Sequence, residues 1–120
     1  MTYKILVVDD NKQVRDMLSD FLERVGYETM TAMDGIDGFE KFRTGNSDAM
    51  VTDGTMPRMT GYDLVKEIRI EDSQYPIILL SADIISDADK QRVLDLGAND
   101  CFSKPANIPV VIKTLEELLS

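Results

Sequence analysis

Three short, unbroken apolar runs constrain the fold of this 120-residue chain more than any other feature. They are ILVV at positions 5–8, AMV at 49–51 and IILL at 77–80. A strand with one solvated face alternates apolar and polar residues, whereas a strand buried on both faces is apolar throughout. Turn residues follow each run, and β-branched residues are frequent within them. The three runs therefore predict parallel strands buried in the middle of a sheet.

Between these runs the apolar residues change to the spacing of amphipathic helices. In the first such segment the apolar positions are Val14, Met17, Leu18, Phe21, Leu22 and Val25. Steps of three and four place them on one helix face. Asn11 is suited to cap the start of this helix, and Gly26 is suited to end it in a left-handed conformation. The first buried run is therefore followed by a helix.

The same alternation of strand and helix continues to the end of the chain. We predict short strands at 27–31 and 101–103. Four further helices are predicted. One lies around Ile36, Phe39 and Phe42 and ends near Gly45, and the next runs through Leu64, Val65 and Ile68 after a turn at Gly61. The third covers 87–96 and ends before Gly97, and the last runs through Ile108, Val111, Ile112, Leu115 and Leu119. Five strand–helix repeats predict an α/β fold with a doubly wound five-stranded parallel sheet and helices on both faces. We expect one domain over residues 1–120.

Composition excludes several classes of function. The chain has no histidine and one cysteine, so zinc, haem, Ser-His-Asp chemistry and an internal disulfide are not expected. Its 13 basic and 22 acidic residues give a net charge of −9, which argues against direct contact with nucleic acid or an anionic membrane. No apolar stretch approaches the roughly 20 residues of a membrane helix. We expect a cytoplasmic protein with a basic partner or a bound cation.

Polar residues capable of chemistry follow four of the five predicted strands. Asp9 and Asp10 follow the first strand, Asp53 ends the third, Ser81 ends the fourth and Lys104 follows the fifth. Ligands of doubly wound sheets bind outside the carboxyl ends of the strands, where the strand order reverses. If strands one and three are neighbours, three carboxylates, a hydroxyl and an ammonium meet at one edge.

Such a cluster favours a metal ion and phosphoryl chemistry. Two carboxylates about 4 Å apart repel by roughly 4 kcal/mol at an effective dielectric near 20. All-oxygen ligands suit a hard dication such as Mg²⁺. Lys104 and Ser81 are suited to hold phosphoryl oxygens. A carboxylate beside a metal can act as a nucleophile that forms an aspartyl-phosphate. Phosphoryl transfer to an aspartate is therefore the predicted chemistry.

The chain resembles the receiver domains of two-component response regulators over essentially its whole length. The resemblance rests on VVDDN at the first strand, TDGTMPRMTGYDL at the third, LLSAD at the fourth, and GAND followed by SKP at the fifth. It implies the flavodoxin-like strand order 2-1-3-4-5, with a cis bond before Pro105.

The resemblance also implies a role for each residue of the cluster. Asp53 would accept the phosphoryl group. Asp10 and Asp53 would hold Mg²⁺ together with the backbone carbonyl of Thr55, and Asp9 would stand close by, directly or through a water. Ser81 and Lys104 would bind the phosphoryl oxygens. At most, such a chain catalyses its own phosphorylation from phosphodonors and its own dephosphorylation at Asp53.

The implied partners are a phosphoryl donor and an output protein. The donor would be the phosphohistidine of a sensor histidine kinase or phosphotransfer protein. The output partner is an unidentified protein or domain. Met1 is expected to be a true start, and the chain is either a stand-alone chemotaxis-type receiver or the N-terminal receiver of a longer regulator.

One position departs from the family pattern. Receivers commonly carry Tyr or Phe three residues before the lysine, where this chain has Cys101. Successive side chains of a strand point to opposite faces, so Phe102 cannot replace that aromatic residue. The expected switch positions are Ser81 and Cys101. Thr55 and Asp83 occupy the positions that tune the lifetime of the phosphoryl group.

Two alternatives remain open from the sequence. A degenerate receiver could act as an interaction module that is independent of phosphorylation, although all five site positions are present. A haloacid-dehalogenase-like phosphatase also uses an aspartate at a strand end. That family requires D-x-D-x-T, whereas Asp53-Gly54-Thr55 lacks the second aspartate.

Overall fold

The computed structural model describes residues 2–120, so Met1 and its expected role as the start lie outside the described residues. Five strands and five helices alternate along the chain. The strands are Lys4–Val8 (β1), Glu28–Ala32 (β2), Ala49–Asp53 (β3), Ile77–Ser81 (β4) and Asp100–Ser103 (β5). The helices are Lys12–Arg24 (α1), Gly35–Arg43 (α2), Gly61–Glu71 (α3), Asp87–Leu96 (α4) and Ile108–Leu119 (α5).

The strands form one parallel sheet in the order β2-β1-β3-β4-β5. β1 pairs with β3 so that Ile5 lies opposite Ala49 and Val8 lies opposite Thr52. The predicted fold class is thus confirmed, and strands one and three are neighbours. The chain winds to one side of β1 and then to the other, so the strand order reverses between β1 and β3. The carboxyl ends of these two strands flank the place where such folds bind ligands.

Helices cover both faces of the sheet and enclose two apolar cores. On one face, Leu6, Val8, Met50 and Leu79 belong to a core that receives side chains from α2, α3 and α4. On the other face, Ile5, Val7, Val51, Ile78 and Leu80 pack with residues of α1 and α5. Every residue of β3 and β4 is buried, as the unbroken apolar runs predict for strands covered on both sides.

The first helix begins and ends at the predicted residues, and the strand after it is shifted. The Asn11 side chain accepts hydrogen bonds from the backbone of Gln13 and Val14, and Gly26 follows the helix with φ of 105°. The Tyr27 amide then bonds to the Leu22 carbonyl at 3.1 Å. Tyr27 therefore still belongs to the end of the helix, and β2 begins at Glu28, one residue later than predicted.

The third helix also starts earlier than the sequence suggests. Gly61 was expected in the turn before the helix, but it is the first residue of α3, because Thr60 caps the helix by accepting the Asp63 amide. Within residues 2–120, no helix is both long enough and apolar enough to cross a membrane.

Candidate phosphoryl-acceptor site at the carboxyl edge of the sheet

Three carboxylates meet where β1 and β3 end. Asp9, Asp10 and Asp53 each offer an oxygen that lies within 4.8 Å of the others. Asp9 and Asp53 are buried, with 2% and 8% of their surface exposed, whereas Asp10 is exposed. The structure therefore brings together the carboxylates that the sequence places at the two strand ends.

Lys104 enters the same cluster from the end of β5. Its Nζ lies 2.7 Å from Oδ2 of Asp9 and 3.5 Å from Oδ1 of Asp53. The Lys104–Pro105 peptide bond is cis, as the resemblance implies. The second Asp9 oxygen accepts the Asn11 amide at 2.9 Å. The ammonium is thus hydrogen-bonded to Asp9, an ion pair that the sequence does not reveal.

Burial and the neighbouring charges shift the ionisation of Asp53 and Lys104. Burial raises the pKa of Asp53, and the Asp9 carboxylate raises it further, which outweighs the opposing effect of Lys104. Burial alone would lower the pKa of Lys104, but its hydrogen bond to Asp9 and the charges of Asp9 and Asp53 bring its pKa above the ordinary value. Lys104 is therefore a cation at neutral pH and supplies positive charge to the cluster.

Ser81 lies fully buried at the end of β4, beside the segment that follows Asp53. Leu80 accepts the Gly54 amide at 2.9 Å, which joins the ends of β3 and β4. Oγ of Ser81 accepts two hydrogen bonds, one from the Tyr62 hydroxyl at 3.1 Å and one from the Asp83 amide at 3.3 Å.

Tyr62 was not among the predicted site residues. It lies in the quoted stretch TDGTMPRMTGYDL, but no periodic pattern shows where a side chain in the first turn of a helix points. Burial raises the pKa of Tyr62, so its hydroxyl remains protonated and can donate a hydrogen bond at neutral pH.

The loops after β3 and β4 are joined across the opening of the site. Thr55 Oγ1 donates to Oδ2 of Asp83 at 3.1 Å, and the Thr55 amide donates to Oδ1 of Asp53 at 3.3 Å. The two positions expected to tune phosphoryl lifetime are therefore in direct contact. Through Thr55, the Asp83 carboxylate is linked to the expected acceptor.

Cys101 lies in β5 at the side of the sheet that faces α2, α3 and α4. It is 1% exposed, and burial raises the pKa of its thiol, although Lys90 acts in the opposite direction. Phe102 packs against the opposite core, as the alternation of side chains in a strand predicts. No aromatic residue of β5 therefore accompanies Cys101 on its side of the sheet.

The cluster fits a hard dication. Its three candidate ligands are all carboxylate oxygens, two of them held in place by burial and the third accessible to solvent. Lys104 offsets only one of the three negative charges. Mg²⁺ takes a few carboxylates and completes its shell with water, so an acidic edge of this composition is suitable.

The sequence matches the family described as "Response regulator receiver domain" over residues 5–116. It is 38% identical over 111 residues to the sensor histidine kinase RcsC of Escherichia coli (strain K12), covering 92% of this chain and 12% of that protein. It is also 38% identical over 105 residues to the alkaline phosphatase synthesis transcriptional regulatory protein PhoP of Bacillus subtilis (strain 168), covering 88% of this chain and 43% of that protein. The chain thus spans less than half the length of either relative.

Solved structures show the same relationship. The receiver domain of the Francisella response regulator 1452 superposes with a TM-score of 0.93 at 32% identity, covering 98% of this chain and 97% of that chain. The chemotaxis response regulator CheY4 of Vibrio cholerae superposes with a TM-score of 0.90 at 35% identity, covering 99% of this chain and 100% of that chain. With the family match over nearly its whole length, this chain belongs to the response regulator receiver domains of two-component signalling.

Proposed function

We propose that this domain is a phospho-acceptor switch in which Asp53 is the acceptor. One observation carries the proposal: Asp53 is buried at the carboxyl edge of the sheet, among metal-competent carboxylates and 3.5 Å from the Lys104 ammonium. The Lys104 ammonium, and a metal ion held by the carboxylates, can neutralise the negative charge of an incoming phosphoryl group. In the proposed cycle, the phosphorylated domain changes its affinity for an output partner.

The transfer exchanges one bond to phosphorus for another. A carboxylate oxygen of Asp53 attacks the phosphorus of a phosphohistidine, and the new O–P bond forms as the P–N bond breaks. The imidazole nitrogen keeps the electron pair of the broken bond and takes up a proton from solvent. This chain contains no histidine, so the phosphohistidine belongs to another protein or another domain. A sensor histidine kinase or a phosphotransfer protein is the proposed donor.

The residues that would hold Mg²⁺ are Asp10, Asp53 and the backbone carbonyl of Thr55, with Asp9 close by. When bound, Mg²⁺ offsets the negative charge that gathers on the phosphoryl oxygens. Lys104 has three protons on its ammonium. One proton can remain with Asp9 while another donates to a phosphoryl oxygen. Ser81 is the proposed donor to a second phosphoryl oxygen.

The loops around Asp53 offer a route from the acceptor to the surface. Thr55 contacts both Asp53 and Asp83, and Asp83 in turn contacts Ser81. The chain runs from Asp83 directly into α4, which begins at Asp87. A phosphoryl group that engages Ser81 or displaces Thr55 would therefore disturb the start of this helix. We place the phosphorylation-dependent change in partner affinity there.

The wider setting is also proposed from the relatives. The relative from Escherichia coli is named a sensor histidine kinase, and the relative from Bacillus subtilis is named a transcriptional regulatory protein. A receiver with this sequence could accordingly serve in a regulator or within a kinase, in the cytoplasm, with residues 1–120 as one unit. The net charge of −9 makes direct binding of nucleic acid by this domain unfavourable.

Phosphoryl labelling tests the proposal. Incubated with acetyl phosphate and Mg²⁺, the protein should gain one phosphoryl group, detected by intact mass and removed by hydroxylamine as expected of an acylphosphate. Asp53→Asn should abolish labelling, and EDTA should suppress it. Asp48→Asn is the matched control, because Asp48 is exposed and precedes β3 at the opposite edge of the sheet.

Each contrary outcome has a definite meaning. Labelling of Asp53→Asn at the wild-type level would remove Asp53 as the acceptor. A folded wild-type protein that is never labelled would instead be a phosphorylation-independent interaction module. Turnover of free phosphate esters would indicate a phosphatase of the haloacid-dehalogenase type.

A further inference from the structure

Tyr62 contacts the candidate site from a helix, where no sequence pattern placed a functional residue. It is the second residue of α3, and its hydroxyl reaches Oγ of Ser81 at 3.1 Å. The space for this contact comes from Gly54, the residue after Asp53. A Cβ at position 54 would lie 2.9 Å from Cβ of Ser81 and 2.9 Å from both Cζ and the hydroxyl oxygen of Tyr62. The tyrosine and the serine therefore meet directly above the backbone that carries the acceptor.

The hydrogen bonds that Ser81 already makes determine whether its hydroxyl can donate a proton to a further acceptor. A serine hydroxyl has one proton to donate and two lone pairs that accept. The Tyr62 hydroxyl and the Asp83 amide donate to Oγ and occupy those lone pairs. Ser81 is fully buried, and within residues 2–120 its own proton has no acceptor. The proton is therefore free to be donated to an acceptor that enters the site.

The position of Tyr62 is also linked to the departure at the fifth strand. Cys101 contributes a small side chain on this side of the sheet, and Phe102 packs on the other side. Among the described residues, an aromatic side chain of α3, that of Tyr62, contacts Ser81. Together, Tyr62, Ser81, Asp83 and Thr55 form a continuous set of hydrogen bonds that joins α3 to the loops after β3 and β4.

We propose that Tyr62 is a positioning residue that holds the Ser81 hydroxyl with its proton free to donate to a phosphoryl oxygen at Asp53. This inference rests on the proposed function and deepens it, because it assigns the orientation of Ser81 to a residue of α3. The contribution of Tyr62 acts through Ser81 and not through contact with the phosphoryl group.

Removal of one hydroxyl tests this inference. Tyr62→Phe keeps the ring and its packing but deletes the donor. A single neutral hydrogen bond has a net worth of about 1 kcal/mol, so the rate of Asp53 labelling by acetyl phosphate and Mg²⁺ should fall roughly two- to tenfold. Ser81→Ala should also slow labelling. In the Ser81→Ala background, Tyr62→Phe should cause no additional slowing, because the residue on which it acts is gone.

Tyr75→Phe is the matched control. The Tyr75 hydroxyl pairs with Oγ of Ser47 at 2.6 Å, so this change also deletes half of a tyrosine–serine pair. Both residues precede strands, Ser47 before β3 and Tyr75 before β4, and therefore lie at the edge opposite Asp53. The labelling rate of Tyr75→Phe should equal that of the wild type, whatever its melting temperature.

The outcomes separate this inference from the proposed function. A wild-type protein that is not labelled overturns both. If the wild type is labelled but Tyr62→Phe is labelled at the same rate or faster, only the positioning role fails. The role also fails if Tyr62→Phe lowers the melting temperature without changing the labelling rate. It fails as well if Tyr62→Phe slows labelling by the same factor in the Ser81→Ala protein as in the wild type. A rate loss that requires Ser81 and is absent from Tyr75→Phe supports it.

Discussion

Replacing Lys104 by methionine should destabilise the metal-free protein, because the ammonium is the cation that offsets the acidic cluster. Nζ of Lys104 lies 2.7 Å from Asp9, which is 2% exposed, and 3.5 Å from Asp53. Methionine keeps the apolar stem and removes the charge. Two buried carboxylates would then repel each other without the ion pairs that Lys104 makes to both.

The size of the loss follows from the burial of the pair. Removing one partner of a fully buried ion pair costs roughly 3–5 kcal/mol, whereas exposed pairs contribute about 0–1 kcal/mol. The Lys104 side chain is 24% exposed, so we expect an intermediate loss, about 2–3 kcal/mol in the free energy of unfolding. For a chain of this length, each kcal/mol shifts the melting temperature by about 4 °C, which gives a decrease of roughly 8–12 °C.

Mg²⁺ should restore more stability to Lys104→Met than it adds to the wild type, since the positive charge of Lys104 opposes the binding of a second cation to the same cluster. A tenfold tighter dissociation constant adds about 1.4 kcal/mol at saturating metal, or roughly 5–6 °C. Thermal melts with and without millimolar Mg²⁺ measure this, with NaCl at equal ionic strength as the salt control. Lys113→Met removes an exposed lysine of α5 and serves as the charge control.

Two results would refute this reasoning. The first is a metal-free Lys104→Met protein that melts within about 2 °C of the wild type, well short of the expected decrease. The second is a Mg²⁺ increment no larger than that of Lys113→Met. A double variant, Asp9→Asn with Lys104→Met, provides an internal check. It should melt above the single variant, because it leaves one buried charge fewer without a partner.

Three further predictions concern Asp53, Gly61 and Cys101. The raised pKa of Asp53 means that the fold loses stability as pH rises through that pKa. Metal-free Asp53→Asn should therefore melt at a higher temperature than the wild type at pH 7, and this difference should disappear as pH falls toward 3.8. A difference in melting temperature that does not change with pH would contradict the prediction. A Cβ at Gly61 would lie 1.9 Å from the Asp53 carbonyl oxygen, so Gly61→Ala should lose more than about 2 kcal/mol in urea unfolding, and a smaller loss would show that the loop yields. The buried Cys101 thiol should react slowly with a thiol reagent, both in the free protein and with beryllofluoride bound at Asp53. A manyfold difference in reaction rate between these two states would show that Cys101 takes part in switching.

The fold and the set of residues at the site could be predicted because both depend on regular secondary structure. Unbroken apolar runs indicate buried parallel strands, and parallel strands place their carboxyl ends at one edge. Asp9, Asp10, Asp53, Ser81 and Lys104 could thus be assigned to a common edge from their positions alone. The predicted starts of β2 and α3 were wrong, since they depend on single bonds such as the one from the Tyr27 amide to Leu22.

The pairings among side chains could not be predicted, because they depend on rotamers and on short loops. Nothing in the order of the residues shows that Lys104 bonds to Asp9 more closely than to Asp53. Likewise, the contact of Tyr62 with Ser81 requires both the first turn of α3 and the absence of a side chain at Gly54. The glycine is visible in the sequence, but nothing there shows that Tyr62 and Ser81 meet above it.

Asp9 and Asp10 are adjacent in the sequence, but their different surroundings give them different abilities to bind a metal ion. Asp9 is buried, and its two oxygens are engaged by the Asn11 amide and the Lys104 ammonium. Asp10 is exposed, and within residues 2–120 it forms no ion pair. A cation arriving from solvent therefore meets Asp10 and the edge of Asp53 without first displacing Lys104. This asymmetry favours Asp10 as the direct metal ligand and Asp9 as the residue that holds the lysine in place.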